Sequence, residues 1–76
     1  MAQASISAEA QVLLRFLDLA IEASALVFDI NADIAGFAMM AALVAAEELG
    51  ISDESAYHMR DSALLELRRR RAAAKH

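Results

Sequence analysis

The 76-residue chain contains no cysteine, proline or tryptophan, is 59% hydrophobic and carries a formal net charge of −4. Without cysteine it has no disulfide framework, thiol nucleophile or thiolate metal site. A chain this short buries only about 60% of the surface that its unfolded form exposes. The composition excludes most large enzymes and predicts a surplus apolar surface that self-association, a partner protein or a membrane surface would cover.

Two segments bear on membrane targeting. The first ten residues, MAQASISAEA, lack the basic and apolar regions of a signal peptide. The longest uncharged apolar run, residues 34–46, would make a helix about 20 Å long against a hydrocarbon core about 30 Å thick. The sequence therefore predicts a cytoplasmic protein with no transmembrane segment.

The first predicted helix covers residues 8–30, which include sixteen apolar side chains. Its polar residues recur at spacings of four, three, four and seven, and so form a stripe about 60° wide. These polar residues are Gln11, Arg15, Asp18, Glu22 and Asp29. Ser7 is the expected N-cap. A helix that is apolar around most of its circumference needs neighbours on at least two sides.

The second predicted helix covers residues 32–49 and is expected to be the most buried element, because residues 34–46 carry no charge. Asn31 is the expected N-cap. Because Asp33 stays in phase with the polar stripe of the first helix, one continuous bent helix is the alternative to a break.

Four large side chains of the second helix are expected to lie in the core: Phe37, Met39, Met40 and Leu43. The alternative is a methionine-rich surface that repacks against partner helices. Gly50, in a left-handed conformation, and the apolar Ile51 are expected to end this helix.

The third predicted helix covers residues 53–72, with Ser52 as its N-cap. Four consecutive arginines, Arg68 to Arg71, lie near its end and point about 100° apart. They therefore indicate a solvated helix end more than a nucleic-acid patch, and Glu66 is expected to pair with Arg70. With helical periodicity throughout, the chain is predicted to be one all-α domain over residues 1–76, a compact three-helix domain that forms a dimeric helical bundle.

The corner between the second and third helices combines a small residue at Ala46, a turn glycine at Gly50 and the capping Ser52. Apolar residues at Ile51, Ala56 and Met59 would hold the two helices together. In these features residues 45–60 resemble the helix-turn-helix motif of bacterial transcription regulators. The resemblance implies a recognition helix with these exposed positions: Asp53, Glu54, Ser55, Tyr57 and His58.

The charge distribution favours a protein partner over DNA. Residues 1–55 contain nine acids and a single base, Arg15, whereas residues 56–76 contain six bases and two acids. DNA affinity depends mainly on lysine and arginine neutralising phosphates. An acidic body of net charge −8 is better suited to a basic protein.

We therefore predict a small bacterial protein–protein interaction module with no catalytic activity, cofactor or metal site, most concretely an antiactivator that binds a transcriptional activator or another DNA-binding protein. The expected partner-binding residues are Asp29, Asp33, Phe37, Met39, Met40, Glu47 and Glu48. A DNA-binding helix-turn-helix regulator is the first alternative, with contacts from Ser55, Tyr57, His58 and Arg60. A structural helical subunit that only oligomerises is the second.

Overall fold

The computed structural model describes residues 7–74, which form three helices and no strand. The helices are α1 (Ala8–Val27), α2 (Ala32–Glu48) and α3 (Asp53–Ala74). The predicted all-α fold is confirmed. Residues 1–6 and 75–76 lie outside the described part, as does most of the segment behind the signal-peptide prediction.

Side-chain caps determine where each helix begins. The Ser7 hydroxyl, the Asn31 amide oxygen and the Ser52 hydroxyl each accept a 3.1 Å hydrogen bond from the backbone N–H three residues later. Each satisfies a donor that has no partner within its helix. These are the three predicted caps. The cap at Asn31 starts a new helix, so α1 and α2 are two separate helices, and α1 ends three residues earlier than predicted.

The α2–α3 corner is built around Gly50, whose φ is 75°. The Ile51 N–H donates to the Ala46 carbonyl at 2.8 Å, and the Gly50 N–H donates to the Glu47 carbonyl at 3.1 Å. This pair of bonds is the Schellman arrangement, which satisfies the last carbonyls of a helix. Ile51 packs against the core cluster, so both predicted roles at this corner are confirmed.

Gly50→Ala and Gly36→Ala are expected to change stability in opposite directions. A Cβ at either glycine would meet no atom within 4 Å. The two positions therefore differ in backbone conformation and not in the space available for a methyl group. At Gly50 the left-handed conformation penalises alanine by about 1 kcal/mol. At Gly36, inside α2, alanine should stabilise by about 0.5–1 kcal/mol. Urea unfolding measures both, and equal signs for the two variants would contradict this explanation of the corner.

Small side chains form most of the core. Among residues 7–74, seven of the eleven buried hydrophobic residues are alanines, and the other four are Leu17, Ile21, Met39 and Leu64. The largest helix–helix interface joins α1 to α2. There the buried Ser24 hydroxyl donates to the Ala35 carbonyl at 2.9 Å. Short side chains thus let α1 and α2 approach closely.

Large apolar side chains, in contrast, lie mainly on the surface. The chain exposes 5,628 Å², whereas a compact monomer of its mass exposes about 4,500 Å². The exposed large hydrophobic residues are Val12, Leu14, Phe16, Leu19, Leu26, Ile30, Ile34, Phe37, Met40, Val44, Tyr57 and Leu65. Of the side chains expected in the core, Met39 is buried and Leu43 packs against the core, but Phe37 and Met40 are exposed. As expected, α2 has the largest share of buried positions, five of 17, against five of 20 in α1 and two of 22 in α3. The expectation that Phe37 and Met40 lie in the core is wrong, because alanines fill the inner face of α2 and these two large residues point outward.

Candidate protein-binding groove

An apolar groove of about 540 Å³ runs between α2 and α3. Phe37 and Met40 form its α2 side, with 73% and 63% of their surface exposed. Tyr57 lines the α3 side and is 42% exposed. Soluble proteins seldom leave three such side chains together on a surface unless the surface binds something.

Helical periodicity brings these residues to the groove. Asp33, Phe37 and Met40 recur at spacings of four and three along α2 and therefore share one side of that helix. Gly36, which also lines the groove, has no side chain to fill it. On α3 the same spacing places Arg60 one turn beyond Tyr57.

Arg60 is a fixed part of the groove. Its side chain is only 14% exposed, and its Nε donates to the Asp61 carboxylate at 3.0 Å. Its guanidinium lies 4.8 Å from the centroid of the Phe28 ring and 5.5 Å from that of Tyr57. These cation–π contacts and the ion pair hold the guanidinium in place. Arg60 therefore packs against the ring of Tyr57 and fixes its position in the groove.

The structure gathers four of the seven predicted partner-binding residues into this groove: Asp33, Phe37, Met39 and Met40. Met39 lies at the bottom and is 3% exposed, so it supports the floor. Glu47 and Glu48 are exposed at the opposite end of α2, about 20 Å from Asp33 along the helix axis. The uncharged face of α2 therefore has acids at both ends.

Asp29 lies apart from the groove and binds two arginines of α3. Its carboxylate accepts from Arg68 at 2.6 and 2.9 Å and from Arg71 at 3.2 Å. The bidentate Arg68 pair and the second guanidinium lower the pKa of Asp29 from 3.8 to about 2. As a partner-binding acid, Asp29 would have to compete with these internal pairs.

The arginine run is exposed throughout, as expected for a solvated helix end, but two of its four side chains also bind Asp29. Arg68 and Arg71 follow the buried Leu64 at spacings of four and seven, so they point toward the α1–α2 corner. There Arg68 also lies 5.9 Å from the Phe28 ring centroid. Arg69 and Arg70 instead face solvent and pair with Glu66 at 3.5 and 3.2 Å, as was expected for Arg70.

Acid should weaken the Asp29 clamp, defined as the contacts of Asp29 with Arg68 and Arg71. Because the pKa of Asp29 is lower in the folded chain than its ordinary value of 3.8, the clamp stabilises the fold above about pH 4 and is lost as the pH falls through about 2. Asp29→Asn should therefore lower the free energy of unfolding slightly at pH 6 and by less at pH 2, where about half of the folded Asp29 is protonated. Denaturant unfolding at both pH values, with the exposed Asp18→Asn as control, measures this. A difference as large at pH 2 as at pH 6 would contradict it.

Only some of the residues expected to contact DNA are available on the surface. Ser55, Tyr57 and His58 are exposed on the first turns of α3, but Arg60 is held by its neighbours. All four arginines of the 68–71 run pair with acids of the chain. Among residues 7–74, no three histidine, aspartate or glutamate side chains converge on a possible metal position.

Compared with protein-family models, curated proteins and solved structures, the chain shows no significant match. Across the part that the structure describes, none of the helices has the length and apolar character needed to cross a membrane.

Proposed function

We propose that this chain is a non-catalytic protein-binding module that inhibits a DNA-binding protein, such as a transcriptional activator, by occupying its basic surface. The observation that supports this is the groove, where Phe37 and Met40 stay exposed beside Tyr57. Exposed aromatic and methionine side chains are typical of the centres of protein interfaces.

The groove best fits an amphipathic helix of the partner. A helix in a groove inserts apolar residues at spacings of three and four. Phe37 and Met40 offer flexible and aromatic contacts for such residues. The sides of the partner helix would then meet the acids at the two ends of α2, namely Asp33, Glu47 and Glu48. This pattern selects a basic helix, a common element of proteins that bind DNA.

Affinity capture from a nuclease-treated native lysate tests the proposal with a matched set of variants. The unmodified chain should retain a DNA-binding protein, and the double variant Phe37→Ser, Met40→Ser should lose it. Leu65→Ser, at a position on α3 that is 62% exposed and outside the groove, should retain it. Retention that needs nucleic acid, or that the double variant keeps, would contradict the proposal.

A DNA-binding regulator is the second candidate, favoured by the exposed first turns of α3 after the Gly50 corner. Ser55, Tyr57 and His58 would supply its contacts, with Arg60 after release from Asp61. Gel shifts at low salt distinguish the two functions. Reproducible shifts that weaken steeply with salt and are lost in Tyr57→Ala would favour DNA binding, whereas their absence together with captured protein favours the inhibitor.

A further inference from the structure

The outer side of α1, with the turn that follows it, exposes six apolar side chains at alternating spacings of four and three residues. They are Val12, Phe16, Leu19, Ala23, Leu26 and Ile30. At 100° per residue this stripe, called the α1 seam below, is centred about 140° from the buried side of α1. Ile30 lies in the turn after α1, where the Asn31 N–H donates to the Val27 carbonyl at 2.8 Å and continues the chain along the same direction for one more turn. A mean spacing of 3.5 residues is that of a coiled-coil interface.

We propose that the α1 seam binds the α1 seam of a second copy of this chain, with the two helices antiparallel. This interface is separate from the α2–α3 groove and does not depend on the function proposed for the groove. The occupant follows from two properties of the seam: its symmetry and the apolar area that it leaves uncovered.

The seam is complementary to itself when reversed. Its spacing reads four, three, four, three, four in both directions, so a two-fold axis near residue 21 pairs every position. Val12 then meets Ile30 of the second copy, and Phe16 meets Leu26. At the centre Leu19 meets Ala23, so a large side chain lies opposite a small one. A small residue opposite a large one lets the central layers interdigitate, and a self-complementary patch is what a two-fold dimer requires.

Charges along one edge of the seam bear on the register. Arg15, Glu22 and Asp29 flank the seam on its polar side at intervals of seven residues. Reversal sets Arg15 level with Asp29 of the second copy, but that carboxylate already accepts hydrogen bonds from Arg68 and Arg71 of its own chain. Arg15 therefore meets an acid whose charge is compensated. The two Glu22 side chains lie near one another at the axis, where their repulsion opposes association and reports the antiparallel register.

The chain has enough uncovered surface for such a dimer. It exposes 5,628 Å², about 1,100 Å² more than a compact monomer of its mass, and the seam is one part of that surplus beside the groove. A stable interface takes about 800 Å² from each partner. The seam is about 27 Å long, and its largest members, Phe16 and Leu19, are 46% and 53% exposed. Because alanines fill most of the core, the large apolar side chains stay exposed in the monomer. These are the side chains whose burial would contribute most to the free energy of association.

Cysteine cross-linking tests the pairing directly, since the chain has no cysteine of its own. With a short bis-maleimide linker, Glu22→Cys should form covalent dimers at tens of micromolar, because both copies present residue 22 near the axis. Val12→Cys should form none, because its two copies lie at opposite ends of the seam. Cross-links at Val12 in place of Glu22 indicate parallel helices and overturn the proposal.

Sedimentation of the full chain gives a second test. The unmodified chain should be a dimer at tens of micromolar, and Leu19→Glu should weaken dimerisation at least 100-fold, because it places a charge in the central layer (~3 kcal/mol for an uncompensated buried charge). Leu65→Glu, which alters a comparably exposed leucine outside the seam, should remain a dimer. A monomer for the unmodified chain, or equal behaviour of the two variants, would overturn the proposal even if Leu19→Glu unfolds, since Glu22→Cys reports independently.

Glu22→Gln tests the register. It removes the repulsion at the axis and should tighten the dimer about 2- to 5-fold, which only the antiparallel arrangement predicts. Groove variants and seam variants keep the two proposals distinguishable. Phe37→Ser with Met40→Ser should leave the dimer intact, and Leu19→Glu should leave partner capture intact. A weaker or unchanged dimer in Glu22→Gln would overturn the register.

Discussion

Leu17→Ala is expected to lower the free energy of unfolding by about 3 kcal/mol, since truncating a buried leucine removes its transfer energy and leaves a cavity. Leu17 has no exposed surface and belongs to the main core cluster. A domain of this size has a total stability of about 4–11 kcal/mol. Apart from Ile21 and Met39, the other buried residues of that cluster are alanines, which are too short to fill the gap. Urea unfolding followed by circular dichroism measures the change.

Leu65→Ala is the matched control, because the same atoms are removed from a side chain that is 62% exposed. It should cost less than about 0.5 kcal/mol. Similar losses of unfolding free energy in the two variants would show that Leu17 is not packed in the core as described.

Local chemistry explains what the sequence predicts well. Ser7, Asn31 and Ser52 have side chains that bond their own backbone three residues on, and Gly50 adopts a backbone conformation that other residues avoid. These effects need no knowledge of the rest of the chain. The helix starts and the α2–α3 corner were therefore predictable, whereas the end of α1, which has no such signal, was placed three residues late.

The inward faces of the helices were harder to predict. A helix that is apolar around most of its circumference has no single preferred face, and its periodicity alone does not rank one apolar stripe above another. In this fold the size of the residues determines which face of each helix is buried. Alanines allow α1 and α2 to approach closely, so the sides that carry Phe37 and Phe16 turn outward. The excess of apolar composition did predict that some apolar surface would stay uncovered, although not which one.

Contacts between distant residues were also beyond the sequence. Asp29 meets Arg68 across 39 positions of the chain, and no local spacing indicates such a pair. The spacing of Arg68 and Arg71 from the apolar Leu64 offered one usable signal, because all three share a side of α3. Together with Asp29 at the α1–α2 corner, this spacing would have indicated that two of the four arginines point toward the other helices.

The groove and the α1 seam lie on different helices, so one surface can pair copies while the other binds a foreign helix. In a two-fold dimer each copy keeps its own groove. Two grooves on one dimer suit a target that is itself two-fold symmetric, as many DNA-binding proteins are.

Ala42→Leu is expected to destabilise the fold by about 2 kcal/mol or more, for the reason opposite to Leu17→Ala. Ala42 has no exposed surface and lies in the main core cluster. Three added carbons would push the packed helices apart or force strained rotamers. Ala73→Leu, at an exposed position of α3, should change stability by less than about 0.5 kcal/mol, because leucine and alanine both favour helix. Thermal unfolding of the pair separates two roles for alanine. If Ala42 merely favoured helix, the variants would behave alike, and close packing would not be what determines this fold.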